Sequence, residues 1–244
     1  MKHSPLPIRF VFSFNLKRGF IVVTLVLSIF VFTHSNVQAA STTCISAACA
    51  YNVHFDGAER DATGWGATAN VGDYQVKGVC ISSAAWALIG NQSKSTAFAQ
   101  SGYLRLASWS TTTTYYFYEY GDSSTAYQPV MLGADTKNWG SSDKFTTYYN
   151  SSNQYTEMLI NNTVEVYAFL DWNANDQEWF SEVHSNEDYI VGGTKHHSLF
   201  GSLEYLQNGS WHTITASNYM YNDMASGAYS TSGDAFYVWD KRVS

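Results

Sequence analysis

The run Glu178-Trp179-Phe180-Ser181-Glu182-Val183-His184 alternates. Read as a strand, it places Glu178, Phe180, Glu182 and His184 on one face and Trp179, Ser181 and Val183 on the other. Two carboxylates and an imidazole on one strand face form either a wet surface or a cleft in which protons move. A second signal is Gln100, within Phe98-Ala99-Gln100-Ser101-Gly102-Tyr103. An amide in mid-strand, followed by Gly, marks a place where something approaches the backbone closely. A carboxylate facing a carboxamide across a sheet has the chemistry to hydrolyse an amide. The Glu activates water as general base and then protonates the leaving nitrogen, while the Gln donates a hydrogen bond to the oxyanion. Taken singly, Gln100, Glu119, Glu178 and Glu182 also fit outward, solvated strand positions, half of those in an antiparallel sheet. Convergence of several of them in one cleft separates the two readings.

A second constellation is His184, Glu187, Asp188, His196 and His197. Imidazole and carboxylate together hold Zn²⁺ or Ca²⁺. The spacing here matches no metal motif, and adjacent histidines in a strand point to opposite faces. These histidines therefore read as loop residues in water, and no metal or cofactor is expected. No nucleophile elbow, phosphate loop or dinucleotide fingerprint occurs. Aromatic residues make up 16% of the chain, with 18 Tyr and 8 Trp. Their density over Tyr115–Tyr120, together with Trp109, Trp139, Trp172, Trp179, Trp211 and Trp239, suits sugar stacking as well as cross-strand packing.

Short aromatic or β-branched runs separated by Ser, Thr and Asn clusters predict strands over Asp73–Cys80, Ala84–Ile89, Ala97–Leu106, Thr113–Tyr120, Phe145–Tyr149, Tyr155–Ile160, Val164–Leu170, Gln177–His184 and Phe236–Trp239. Asn161-Asn162 predicts a tight hairpin turn, since Asn tolerates positive φ. No stretch carries sustained helical periodicity with caps. The expected fold is all-β: two packed antiparallel sheets in the manner of a jelly roll. Residues 40–72, rich in Gly and polar groups, read as an N-terminal arm, and 73–244 as the sandwich domain. Asn150-Ser151-Ser152 and Asn208-Gly209-Ser210 fit both turns and N-glycosylation acceptors.

Residues 1–39 read as a cleaved signal peptide. A basic start (Lys2, Arg9, Lys17, Arg18) precedes the apolar run Gly19–Thr33, and Val37-Gln38-Ala39 follows with small residues where a signal peptidase cuts. Secretion to the extracellular side is the expectation, with no integral membrane span after cleavage. The segment holds four of the 13 basic residues and none of the 20 acidic ones, so the remainder carries nine basic against 20 acidic, a net −11. Such a surface argues against nucleic acid as a partner. Cys44, Cys49 and Cys80 allow one disulfide with one thiol left over, and the spacing does not choose among the pairings.

Several of these motifs resemble those of the eqolisin family of glutamic peptidases. Gln100-Ser101-Gly102 resembles that family's Gln-x-Gly segment, and Glu178-Trp179-Phe180-Ser181-Glu182 its Glu-Trp-x-x-Glu segment. Tyr116-Phe117-Tyr118-Glu119-Tyr120 is similar to its aromatic Tyr-Glu-Trp-Tyr strand, and Ala84-Ala85-Trp86-Ala87 to its Ser-Ala-Trp strand. The resemblance covers residues 75–185. It implies an all-β, concanavalin-like jelly-roll sandwich, with Gln100 as oxyanion stabiliser and Glu178 as acid and base. Glu182 is a second carboxylate on the same face, and Trp86, Tyr118, Glu119 and His184 are expected on the substrate side. The family's long acidic Cys-containing segment before the Glu strand is missing. The run Glu182-Val183-His184, followed by Gly192-Gly193, is similar to runs in uncharacterised secreted bacterial β-sandwich proteins, which points to Glu182 as the active carboxylate instead. The functional expectation is a glutamic endopeptidase acting on protein or peptide. The alternative is a non-catalytic secreted or surface module binding carbohydrate or matrix through its aromatic faces.

Overall fold

The alternation that marks these runs as strands is realised in a computed structural model of the protein, which describes residues 49–72, 76, 79–108, 113–135 and 141–244. The signal segment 1–39, Cys44, Trp109 and Trp139 lie outside the described residues, as does most of the strand expected over Asp73–Cys80. Among the described residues fifteen strands are formed. The first eight are β1 His54–Arg60, β2 Gly66–Gly72, β3 Ser82–Gly90, β4 Phe98–Leu106, β5 Tyr115–Tyr120, β6 Val130–Ala134, β7 Ser142–Asn150 and β8 Tyr155–Ile160. The remainder are β9 Thr163–Ala168, β10 Asp176–Val183, β11 Ser198–Gln207, β12 Ser210–Thr213, β13 Met220–Asn222, β14 Gly227–Ser232 and β15 Ala235–Asp240.

They build two antiparallel sheets. One has seven strands in the order β13-β1-β10-β3-β4-β5-β6; the other has eight, β14-β15-β11-β2-β7-β8-β9, with β12 beside β11. The fold is the expected all-β antiparallel sandwich. The stretch read as an arm, 40–72, contains β1 and β2, which lie inside different sheets: β1 between β13 and β10, and β2 between β11 and β7. Its small residues are packing residues. Ala58, Ala67 and Ala69 are fully buried because the opposing sheet supplies the bulk.

Asn161 and Asn162 take φ of 51° and 65°, the two left-handed positions that close a β8–β9 hairpin with the twist of its strands. Asn208-Gly209 does the same between β11 and β12, with φ of 50° and 77°. Between the sheets lies the main core, which includes Ile89, Tyr103, Phe145, Met158, Trp179, Phe200 and Phe236. Polar links cross it. Trp179 Nε1–H donates to the Thr68 carbonyl at 2.9 Å, and buried Asp143 on β7 accepts the hydroxyls of Tyr103 and Tyr116. Burial, and after it the hydrogen bond to this carboxylate, push both phenols well above the usual tyrosine range.

A second cluster covers the other face of the seven-stranded sheet: Phe55, Ala84, Trp86, Leu88, Phe98, Leu104, Leu106, Phe117 and Phe180. That sheet is thus packed on both sides, and β3, β4 and β10 are buried at every position. The segment entering β3 is held by Asp188, whose carboxylate accepts the backbone N–H groups of Cys80, Ile81 and Ser82. It is also held by a Cys49–Cys80 disulfide, with a Cα separation of 5.5 Å. Among the described residues no helix is long and apolar enough to cross a membrane.

Two predictions follow from this packing. The disulfide closes a loop 31 residues apart in sequence, which is worth about 3.5 kcal/mol in chain entropy, or roughly 10 °C in Tm. Cys49→Ser is expected to lower Tm by that amount in a thermal melt, and a drop under about 2 °C would show that the loop is held otherwise. The second concerns Asp56, buried on the core face of β1. Burial first, then the charge of Asp223, raise its pKa from 3.8 to about 8. The folded state keeps this proton up to about pH 8, whereas the unfolded chain loses it near 3.8. Folding therefore takes up a proton within that window, and stability falls as pH rises through it. Urea midpoints measured from pH 4 to pH 8 are expected to decline in the parent and to decline less in Asp56→Asn.

Candidate active site

Register decides which polar residues meet. Glu59 on β1 pairs with Glu178 on β10, Glu178 with Leu88 on β3, Leu88 with Gln100 on β4, and Gln100 with Glu119 on β5. Five residues form one transverse row across the outer face of the seven-stranded sheet. Gln100 and Glu178 are two strand spacings apart, about 10 Å between Cα atoms, with Leu88 between them. Gln100 Nε2–H donates to Glu119 Oε2 at 2.8 Å, which fixes the carboxamide's orientation. Its Oε1 is buried with no hydrogen-bond partner among the described residues.

At the β1 end of the row the carboxylates of Glu59, Glu178 and Asp176 converge, with one oxygen of each within 4.8 Å of the others. Asp176 joins because it lies two residues before Glu178 on the same strand face. Three carboxylates are the donor type of a hard cation.

The neighbouring row runs Gly57–Phe180–Trp86–Gly102–Phe117. The close approach expected at Gly102 is that of β3: a Cβ there would lie 2.1 Å from the Ala85 carbonyl oxygen and 2.7 Å from Trp86 Cβ. Trp86 stands edge-on to Phe180, with centroids 5.5 Å apart. In the next row Glu182 pairs with Ala84, four residues from Glu178 along β10. Both of its oxygens are engaged: Oε2 accepts Trp86 Nε1–H at 2.9 Å, and Oε1 lies 2.8 Å from His184 Nε2. With Nε2 donating, His184 Nδ1 is left to accept the Ser82 hydroxyl, and Tyr51 stacks on the imidazole. All four members of this Ser82–His184–Glu182–Trp86 chain are at most 1% exposed.

Gln100, Glu178, Glu182, Trp86, Glu119 and His184 therefore share one face, as the alternation requires. Tyr118 is a correction. It pairs with Ser101 and packs toward the core between the sheets. Strand neighbours cannot line the same face, and Glu119 occupies this one. The reading of solvated strand positions is also corrected, since Gln100, Glu119 and Glu178 are no more than 1% exposed. The histidines expected in water divide. His184 is buried in its chain, His196 is exposed, and exposed His197 stacks on Trp239 at 3.8 Å. Asp188, grouped with them in sequence, is the cradle for the start of β3. Glu59 and Asp176 were missed. Asp176 was legible as the i−2 neighbour of Glu178, whereas Glu59 needed the β1–β10 register.

No protein-family model matches this sequence, and no curated protein is similar to it. Solved structures do match. One is scytalidoglutamic peptidase with a peptide-based transition-state analogue, 14% identical, with a TM-score of 0.55 over 78% of this chain and 100% of that one. A second structure of that enzyme, with a transition-state analogue inhibitor, is 12% identical, with a TM-score of 0.52 and the same coverage. SCP-B, a member of the eqolisin family of peptidases in complex with the tripeptide Ala-Ile-His, is 11% identical, with a TM-score of 0.49 over 78% of this chain and 100% of that one. In fold, the chain resembles the glutamic peptidases.

The buried chain makes a prediction of its own. Glu182→Gln keeps the shape and removes a charged acceptor shared by two donors. It is expected to cost about 2 kcal/mol, read as a lower urea midpoint at unchanged m. An unchanged midpoint would mean that Trp86 and His184 are held by packing alone.

Proposed function

We propose that this protein is a secreted glutamic peptidase in which Gln100 and Glu178 act on a peptide bond of a protein substrate. The observation that carries the reading is the Glu178–Leu88–Gln100–Glu119 row, in which Glu119 fixes the Gln100 carboxamide on the same buried face as Glu178. Glu178 takes a proton from the attacking water and returns it to the leaving amine. The carboxamide N–H of Gln100 that Glu119 does not hold donates to the oxyanion of the tetrahedral intermediate. Exclusion of bulk water from this face strengthens both interactions. Glu119 is a positioning residue. So is Glu182, whose oxygens are taken by Trp86 and His184, and this favours Glu178 over Glu182 as the acting carboxylate. Secretion is supported by the disulfide, which suits an oxidising compartment. A role at acid pH is supported by Asp56, whose folded state favours the protonated form.

The test is cleavage of acid-denatured protein from acidic to neutral pH. Gln100→Ala is expected to lower kcat by about 10²–10³ and Glu178→Gln by at least about 10², with Tyr118→Phe close to the parent. Parent-level cleavage by both Gln100→Ala and Glu178→Gln would overturn the assignment.

A further inference from the structure

A cavity of about 460 Å³ is lined by Ile89 of the seven-stranded sheet and by Tyr149 and Thr156 of the eight-stranded one, within the range of small-molecule sites, about 300–1,000 Å³. Its floor is Ile89, which points to the opposite face of β3 from Leu88, so the seven-stranded sheet separates the cavity from Gln100 and Glu178.

Flat aromatic faces form much of its wall. Trp65 and Tyr149 lie with centroids 5.2 Å apart, and Trp172 is locked by its Nε1–H on the Gly121 carbonyl at 2.8 Å. Phe169 stands at the rim and is 73% exposed, the most exposed large hydrophobic side chain among the described residues. Between the rings stand Gln154, Asp171 and Asn173, and no Lys, Arg or His lines the space. Gln154 is held with φ of +64°, a left-handed conformation that a non-glycine residue adopts under constraint. The Asp171 carboxylate is tied to Ser123, accepting its N–H at 2.8 Å and its hydroxyl at 2.6 Å. These bonds hold its pKa below the ordinary value, so it is an ionised acceptor.

We infer that this cavity binds a neutral pyranose of an oligosaccharide, stacked on Trp65, Tyr149 or Phe169 with its hydroxyls on Gln154, Asp171 and Asn173. Flat aromatic faces match the C–H face of a sugar ring, and the amides and carboxylate match adjacent hydroxyls. With a carboxylate and no cation in the wall, an anionic ligand is disfavoured. The inference is independent of the peptidase reading, because sheet and register separate the two sites.

The test is calorimetric titration of the full chain with four neutral hexasaccharides: β-1,4-, β-1,3- and α-1,4-linked glucose, and β-1,4-linked N-acetylglucosamine. Saturable binding of at least one is expected, weakened by about tenfold or more in both Phe169→Ala and Asp171→Asn. Both positions are exposed, and circular dichroism checks that the variants fold. Protein cleavage by Phe169→Ala is expected at the parent rate whether or not sugar binds. Absence of binding with all four sugars, or binding unchanged in both variants, overturns the inference. So does an aromatic tripeptide that binds this cavity while no sugar does.

Discussion

Burial of the seven-stranded sheet on both faces is the constraint from which the rest follows. A sandwich sheet ordinarily packs one face and wets the other, so polar side chains on the outer face pair with water. Here Trp86, Phe98, Phe117 and Phe180 fill the outer face as well. Every polar side chain on β3, β4 and β10 must then find its partner inside the protein or pay for desolvation. Glu182 finds Trp86 and His184, and Gln100 finds Glu119 with one of its two polar ends.

The satisfied groups and the partly satisfied one then separate by role. The Ser82–His184–Glu182–Trp86 chain is bonded from end to end and braces the Trp86 indole. In the row through Glu178 and Gln100, Glu119 takes one of the two N–H groups of the carboxamide. Leu88 stands between Gln100 and Glu178 in the row. The two glutamates of Glu178-Trp179-Phe180-Ser181-Glu182, alike in sequence, differ because β3 presents Leu88 to one row and Trp86 to the space beside the other.

Much of the fold was legible. Eight of the nine expected strands correspond to β3, β4, β5, β7, β8, β9, β10 and β15, because aromatic and β-branched residues mark them and Asn161-Asn162 separates β8 from β9. The strands β1 and β2 were not, since His54–Arg60 and Gly66–Gly72 contain small residues selected to fit beneath Trp179 and Phe145 rather than to fill space themselves. The face shared by Gln100, Glu119, Glu178 and Glu182 was implied by period-two alternation. The same rule excluded Tyr118 once Glu119 was placed there.

The sequence by itself determined the alternation of each strong strand, and with it the all-β class and the side of β10 on which Glu178, Glu182 and His184 stand. That information is local, carried by residues two apart on one chain. Only the tertiary structure decided which strands became neighbours, that Glu59 and Asp176 gather at Glu178, that Glu182 is held by Trp86, and that Cys49 pairs with Cys80. Strand order and register join residues up to 166 positions apart, Asp56 with Asn222, and a shift of one residue would turn a strand's side chains to the opposite face.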